Sequence, residues 1–282
     1  MSENTSDGAI SYCNPTLSES QLPALSDLSP RDKPWDKHRT NGDKVSAHYS
    51  GSEFDRYAQR IETCSQLLDF KLSPDQNDGA YKLKLSSARF CRVRHCPICQ
   101  WRRSLMWKAK AYKILPNIVA KFPKHRWLFV TLTVKNCSIF ELRDSIKSMN
   151  EAYKRMTKRK AWPSIGWIKS TEVTRGKNAS AHPHFHCLLM VPSSYFSGRD
   201  YMKKSDWINL WRSCLRVDYQ PVIDVQAIKK GAQPMQLVPE LLKYCTKESD
   251  LVKDKEWLIE YTRQMHKNRA IGLGGVLKTY MR

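Results

Sequence analysis

The chain has 282 residues, with 48 Lys and Arg against 27 Asp and Glu, a formal net charge of +21 at pH 7. That length can bury a sizeable core as one large domain or two small ones, and so large a surplus points to a polyanionic partner, nucleic acid ahead of an anionic membrane surface. No run of about 18 apolar residues is present to form a transmembrane helix, and no charged-then-apolar leader opens the chain, so no membrane role is expected.

Charge and composition divide the chain. Residues 1–50 carry 5 basic and 7 acidic side chains, leaving 43 against 20 in the rest. This first stretch is rich in Ser, Asp, Asn, Gly and Pro and is expected to be a disordered lead-in, because too little apolar surface is available to offset chain entropy. A cysteine-rich, basic helical region is expected over 51–120 and a second domain over 121–282. An amphipathic helix is predicted from Phe54 to about Phe70, then a turn-rich stretch from Ser73 to Gly79. A long basic helix starts at Pro97, where proline suits the first turn, and Pro116 is expected to break or restart it.

The pattern then becomes regular. Trp127–Val134 alternates as a strand, with Leu128, Val130, Leu132 and Val134 on one face. Phe140–Lys160 reads as a helix ending in a basic face, Gly166–Thr174 as a strand, Arg175–Ala181 as a turn and His182–Val191 as the returning strand of a hairpin. A helix over Lys204–Leu215, a strand over Val222–Ile228 and a helix over Leu237–Lys247 complete the order. The result is β-α-β-β-α-β-α, an α+β fold with an antiparallel sheet in the split βαβ, ferredoxin-like arrangement and helices on one side. The ending Gly272–Arg282 carries no motif that can be read alone.

Two segments carry chemistry by residue type and spacing. In His182-Pro183-His184-Phe185-His186 the three histidines share one strand face, so two imidazoles at i, i+2 can converge on one divalent ion. If the hairpin pairs Glu172 with His184, that carboxylate joins them, whereas a one-residue slip would turn it away. Two nitrogens and one oxygen leave open positions suited to Mg²⁺ or Mn²⁺ holding a phosphate. The second segment is Cys91-Arg92-Val93-Arg94-His95-Cys96-Pro97-Ile98-Cys99. Cys96 and Cys99 have zinc-knuckle spacing, Cys91 lies just upstream, and either Cys64 or His95 supplies a fourth ligand to a closed, structural Zn²⁺ site. The nine cysteines, an odd number with no leader, read as reduced thiols in a cytoplasmic protein and not as a disulfide framework.

Glu240 and Tyr244 stand at i, i+4 on the Leu237–Lys247 segment. Taken alone, Tyr244 reads as a packing or interface residue, because a phenol attacks only with help from a base, a cation or a metal-bound phosphate; Lys243 and Lys247 could supply positive potential. Arg102–Lys113 and Lys154–Lys160 are the expected DNA-contacting helices, with Trp101, Trp107, Tyr112 and Trp162 available to stack on unpaired bases.

Three stretches, Phe129–Thr133, His182–Val191 and Glu240–Tyr244, occur in the order of the three motifs of the HUH endonucleases, and the Cys91–Ser104 segment resembles a further one. Over about residues 54–280 the chain resembles the rolling-circle plasmid replication initiators of the Rep_1 type. The resemblance implies that His184 and His186 bind the catalytic ion and that Tyr244 is the nucleophile. It also implies that Glu240 activates the water for terminating cleavage. The expected activity is a site-specific single-strand nickase acting on single-stranded origin DNA through a covalent 5′-phosphotyrosine link, with host replication proteins as further partners. Conjugative relaxases and single-strand transposases share this fold and chemistry, and a non-catalytic, zinc-stabilised DNA-binding regulator is the competing class.

Overall fold

A computed structural model describes residues 10–11, 32–74, 81–198, 200–229, 232–243 and 245–281. Most of the expected lead-in, part of the Ser73–Gly79 turn and Tyr244 therefore lie outside the described residues. The chain divides into two compact units, Met1–Trp101 and Arg102–Arg282, so the division does not fall at residue 120. No helix among the described residues is long and apolar enough to cross a membrane.

The first unit contains β1 (Ile10–Ser11), α1 (Lys33–Tyr49), α2 (Asp55–Glu62), β2 (Leu68–Pro74) and β3 (Tyr81–Ala88). Helix α1 corrects the expectation that everything before residue 50 lacks structure. Its buried residues Trp35, His38, Gly42, Val45 and Tyr49 repeat every three or four positions, a helical stripe hidden by the polar composition around it. The helix expected to reach Phe70 ends at Glu62, because Leu68, Phe70 and Leu72 alternate with polar residues and β2 pairs antiparallel with β3. Trp35 stacks on Phe90 and meets Trp101 edge-on, closing the core of this unit.

Helix α3 (Pro97–Lys121) runs through Pro116 without stopping. Proline costs one backbone hydrogen bond, but Ala111, Leu115 and Ile118 bury a stripe on both sides of it and hold the helix together. The second unit continues with β4 (His125–Thr133), α4 (Leu142–Met156), β5 (Gly166–Arg175), β6 (Ala181–Pro192), α5 (Lys204–Leu215), β7 (Ile223–Ala227), α6 (Val238–Leu241), α7 (Glu248–Val252), α8 (Lys255–Gln264), β8 (Ile271–Gly275) and α9 (Val276–Tyr280). The five strands form one antiparallel sheet in the order β7-β4-β6-β5-β8.

Period-two alternation gives the sheet two apolar faces. Leu128, Val130, Leu132, Phe185, Cys187 and Leu189 join α4 and α5 through Met149, Tyr153, Trp207 and Trp211. The opposite face is also covered: Phe129, Ile168, Leu188 and Met190 cluster with Leu115 and Ile118 of α3 and with Val238 and Leu241 of α6. The α+β fold with an antiparallel sheet is as expected, and helical residues pack against both of its faces. Two further expectations change. The helix predicted to Lys160 ends at Met156, and the one predicted over Leu237–Lys247 is the single turn α6.

The uninterpreted C-terminal segment supplies the edge strand β8, with Trp167 paired to Gly274. A Cβ on Gly274 would lie 2.1 Å from the Trp167 ring, and Gly275 turns at φ +55 with no room beside the Ile165 carbonyl. Only glycine allows this close approach and turn.

Lys169 faces the α4 side, buried, with Nζ 2.6 Å from Asn150 Oδ1 and 3.5 Å from the Phe185 ring centroid. Burial pushes its amine down to about 8. An unfolded lysine keeps its proton up to about 10.4, so the native state gains stability as pH rises from 8 to that value; below 8 both states are protonated and the cost is constant. Lys169→Met is expected to raise Tm at pH 7 by roughly 2–4 °C for each kcal/mol recovered. It should also remove that rise from the stability–pH curve; parallel curves for the two proteins would contradict this account.

Candidate functional site

Two clusters of ligand-type side chains occur among the described residues, one in each unit. The first is Glu172, His184 and His186. Strand β5 pairs with β6 in the register Glu172↔His184, and β4 pairs Thr131 with His186. That register puts the carboxylate and both imidazoles on the sheet face shared with α3 and α6. Glu172 Oε2 lies 3.0 Å from His186 Nε2 and 3.3 Å from His184 Nε2. Neighbouring ligands of an octahedral ion with bonds of about 2.1 Å stand ~3.0 Å apart, so these separations fit a divalent cation.

The tautomers agree with that fit. His184 Nδ1 lies 3.2 Å from the His182 carbonyl, which can only accept, so Nδ1 donates there and Nε2 is the nitrogen turned toward Glu172. His186 Nδ1 lies 3.1 Å from Thr131 Oγ1, and its ring stacks on Phe129. Such partners on the far nitrogen orient a ligating imidazole. Sequence reasoning named the Phe129–Thr133 motif without giving Thr131 a part; alternation along β4 was the available signal. His182 is not in the cluster.

Glu172 is only 3 % exposed. Burial alone would push its carboxyl up, but His184, His186 and Lys243 together outweigh burial and hold it well below the usual carboxylate range. Lys243 Nζ lies 3.0 Å from Glu172 Oε2 and 2.5 Å from Glu240 Oε1. Glu240 Oε1 is in turn 3.8 Å from His186 Nε2. Glu240 therefore stands beside the cluster, on the single turn α6 that ends at Leu241. Ser104 Oγ donates to the Leu242 carbonyl at 2.6 Å, Val173 N–H donates to the Cys245 carbonyl at 2.8 Å, and the Thr246 hydroxyl bonds the Tyr261 hydroxyl.

The second cluster is Cys64, Cys91, Cys96 and Cys99. Sulfur separations are 3.8 Å for Cys64–Cys99, 3.5 Å for Cys91–Cys99 and 3.7 Å for Cys96–Cys64. Tetrahedral ligands at about 2.3 Å stand ~3.75 Å apart, so four thiolates around Zn²⁺ fit, whereas a disulfide at about 2.05 Å does not. Backbone N–H groups of Cys91 and Val93 point to the sulfurs of Cys64 and Cys91 at 3.4 Å. Cys64 completes the set, and His95 is outside it. Among the thiols, hydrogen bonds headed by that from Cys64 lower Cys99, while the same neighbours raise Cys96. Cys64 is lowered as well, through its hydrogen bond with Cys91, while Cys91 is raised, so ionisation is favoured at two sulfurs and opposed at the other two, which a bound cation would relieve.

Of the aromatics expected to stack on bases, Trp107 and Trp162 pack against the two cores and Trp101 against Trp35 and His38. Tyr112 is 44 % exposed on α3. Lys154, Lys158, Arg159 and Lys160 are exposed, while Arg155 donates to the Cys214 carbonyl.

The model of a family described as Rep_1, replication protein, matches residues 82–282. A "Protein rep" from Lactiplantibacillus plantarum is 34% identical over 267 residues, covering 87% of this chain and 80% of the relative. One from Streptococcus pneumoniae serotype 2 is 34% identical over 227 residues, covering 78% and 69%, and one from Bacillus amyloliquefaciens is 29% identical over 276 residues, covering 86% and 80%. No solved structure matches the chain.

Proposed function

Because the chain belongs to the Rep_1 family of replication proteins, we propose that it initiates rolling-circle replication of a plasmid by nicking and later rejoining one DNA strand at an origin. The observation that carries this reading is the convergence of Glu172, His184 and His186 on one sheet face, with Glu240 and Lys243 at its rim. A divalent ion, Mg²⁺ or Mn²⁺, held by those three residues would polarise a phosphodiester and offset charge building in an in-line displacement.

In this reading Tyr244 attacks the scissile phosphorus. The bond to the 3′-oxygen breaks, the phenolic proton is released, and the 3′-oxygen takes up a proton as a primer hydroxyl. The 5′-phosphate stays on the tyrosine, so the bond energy is kept for rejoining. Glu240, half-exposed beside the cluster, takes a proton from the water that ends the reaction. The four-cysteine site acts as a structural Zn²⁺ staple of the first unit, and single-stranded origin DNA is the partner, with host replication proteins using the freed 3′ end.

The test is an origin oligonucleotide with Mn²⁺. Wild type is expected to form a covalent adduct mapping to Tyr244, and Tyr244→Phe to lose cleavage by at least about 10³-fold with DNA affinity retained. Glu240→Ala should nick once and fail to terminate. If wild type and Tyr244→Phe bind DNA equally and neither cuts, the chain is a DNA-binding regulator and the nickase reading fails.

A further inference from the structure

Resting on that reading, we infer that Lys243 is a built-in competitor of the divalent ion, holding the site's carboxylates until the ion arrives and then turning to the scissile phosphate. Three groups aim at one oxygen: Lys243 Nζ at 3.0 Å, His186 Nε2 at 3.0 Å and His184 Nε2 at 3.3 Å all face Glu172 Oε2. Glu172 Oε2 is the oxygen that a divalent ion held by His184 and His186 would take, and the group that faces it from outside the two imidazoles is itself a cation. Lys243 supplies that cation. It also pairs with Glu240 Oε1 at 2.5 Å, so one ammonium bridges the two carboxylates of the site.

Charge balance gives the sequence of events. By formal charge Glu172, Glu240 and Lys243 leave one net negative charge, which attracts a divalent ion and repels a phosphodiester. Once the ion is bound the sign reverses to one positive, matching one phosphodiester. Lys243 then gains by leaving Glu172 for the phosphate. Ser104 Oγ holds the Leu242 carbonyl and Val173 N–H holds the Cys245 carbonyl, so the inferred movement is one of the Lys243 side chain. The Lys243 side chain is 31% exposed against 4% for Glu172, so the ammonium reaches the buried oxygen from the rim on a flexible four-carbon stem.

Mn²⁺ binding to the full chain, measured by electron paramagnetic resonance without DNA, tests this directly. Lys243→Met should bind Mn²⁺ tighter than wild type by about 5- to 150-fold, the usual range of coupling between two ligands. Lys243→Arg, which keeps the charge, should stay near wild type, and so should Lys247→Met, which removes a charge elsewhere on the segment. An uncleavable oligonucleotide should tighten Mn²⁺ binding in wild type more than in Lys243→Met. Unchanged or weaker Mn²⁺ binding by Lys243→Met overturns the inference, as does an equal gain in Lys247→Met. His186→Ala separates the two levels: if wild type and His186→Ala bind Mn²⁺ alike, the ion site itself fails. If only His186→Ala loses the ion and Lys243→Met is unchanged, the competitor role alone fails.

Discussion

His186→Ala is expected to lower divalent-ion affinity by more than 100-fold and to abolish ion-dependent cleavage of an origin oligonucleotide. The substitution removes a nitrogen 3.0 Å from Glu172 Oε2 and leaves a carboxylate of 3% exposure with one imidazole fewer. Loss of a group that only orients a ligating histidine costs roughly 10- to 100-fold in metal affinity, so loss of the ligand itself must cost more. Thr131→Val supplies the graded comparison. It removes the hydroxyl 3.1 Å from His186 Nδ1, keeps the side-chain volume, and should weaken Mn²⁺ binding within that 10- to 100-fold range. Calorimetry on both variants, with circular dichroism to confirm the fold, orders the effects. Wild-type Mn²⁺ affinity in His186→Ala would remove the ion from the sheet face altogether.

The second large effect concerns the first unit. Cys64→Ser is expected to leave the chain without zinc and to unfold residues 32–101. Cys64 is fully buried, and its sulfur lies within 3.8 Å of both Cys96 and Cys99, so it cannot be lost without opening the cluster. Structural zinc contributes on the order of 10 kcal/mol to folding in small metal-dependent domains, comparable with the whole stability of a domain. Metal content by mass spectrometry and limited proteolysis of the unit report the loss. Cys137→Ser, outside the cluster, should keep one zinc per chain and the wild-type cleavage pattern. A Cys64→Ser chain that retains zinc, or a wild-type chain that folds fully without it, would show that the four sulfurs do not form the staple.

Much of the second unit was legible from residue patterns. Alternation along β4, β5 and β6 determined which side chains share a face, and of the registers the sequence left open the hairpin has the one that pairs Glu172 with His184. The metal-type cluster followed from that register alone, because a period of two leaves no freedom once one pair is set. Knuckle spacing likewise marked Cys96 and Cys99, but the choice between Cys64 and His95 was open. Only the fold brings a sulfur 27 residues upstream of Cys91 into the cluster.

Other features depended on contacts that no local pattern encodes. α1 has a polar composition and is held by six buried residues whose partners are distant in sequence, so composition predicted disorder. Pro116 breaks helices in isolation, yet the buried stripe of α3 outweighs one missing hydrogen bond. The edge strand β8 owes its glycines to the Trp167 ring beneath it, which lies more than a hundred residues earlier. Lys243 is the sharpest case. In the sequence it reads, with Lys247, only as a source of positive potential on its segment. Its meaning comes from a 3.0 Å approach to a carboxylate on strand β5, because the energy of a charge is set by its distance to other charges and not by its neighbours in the chain.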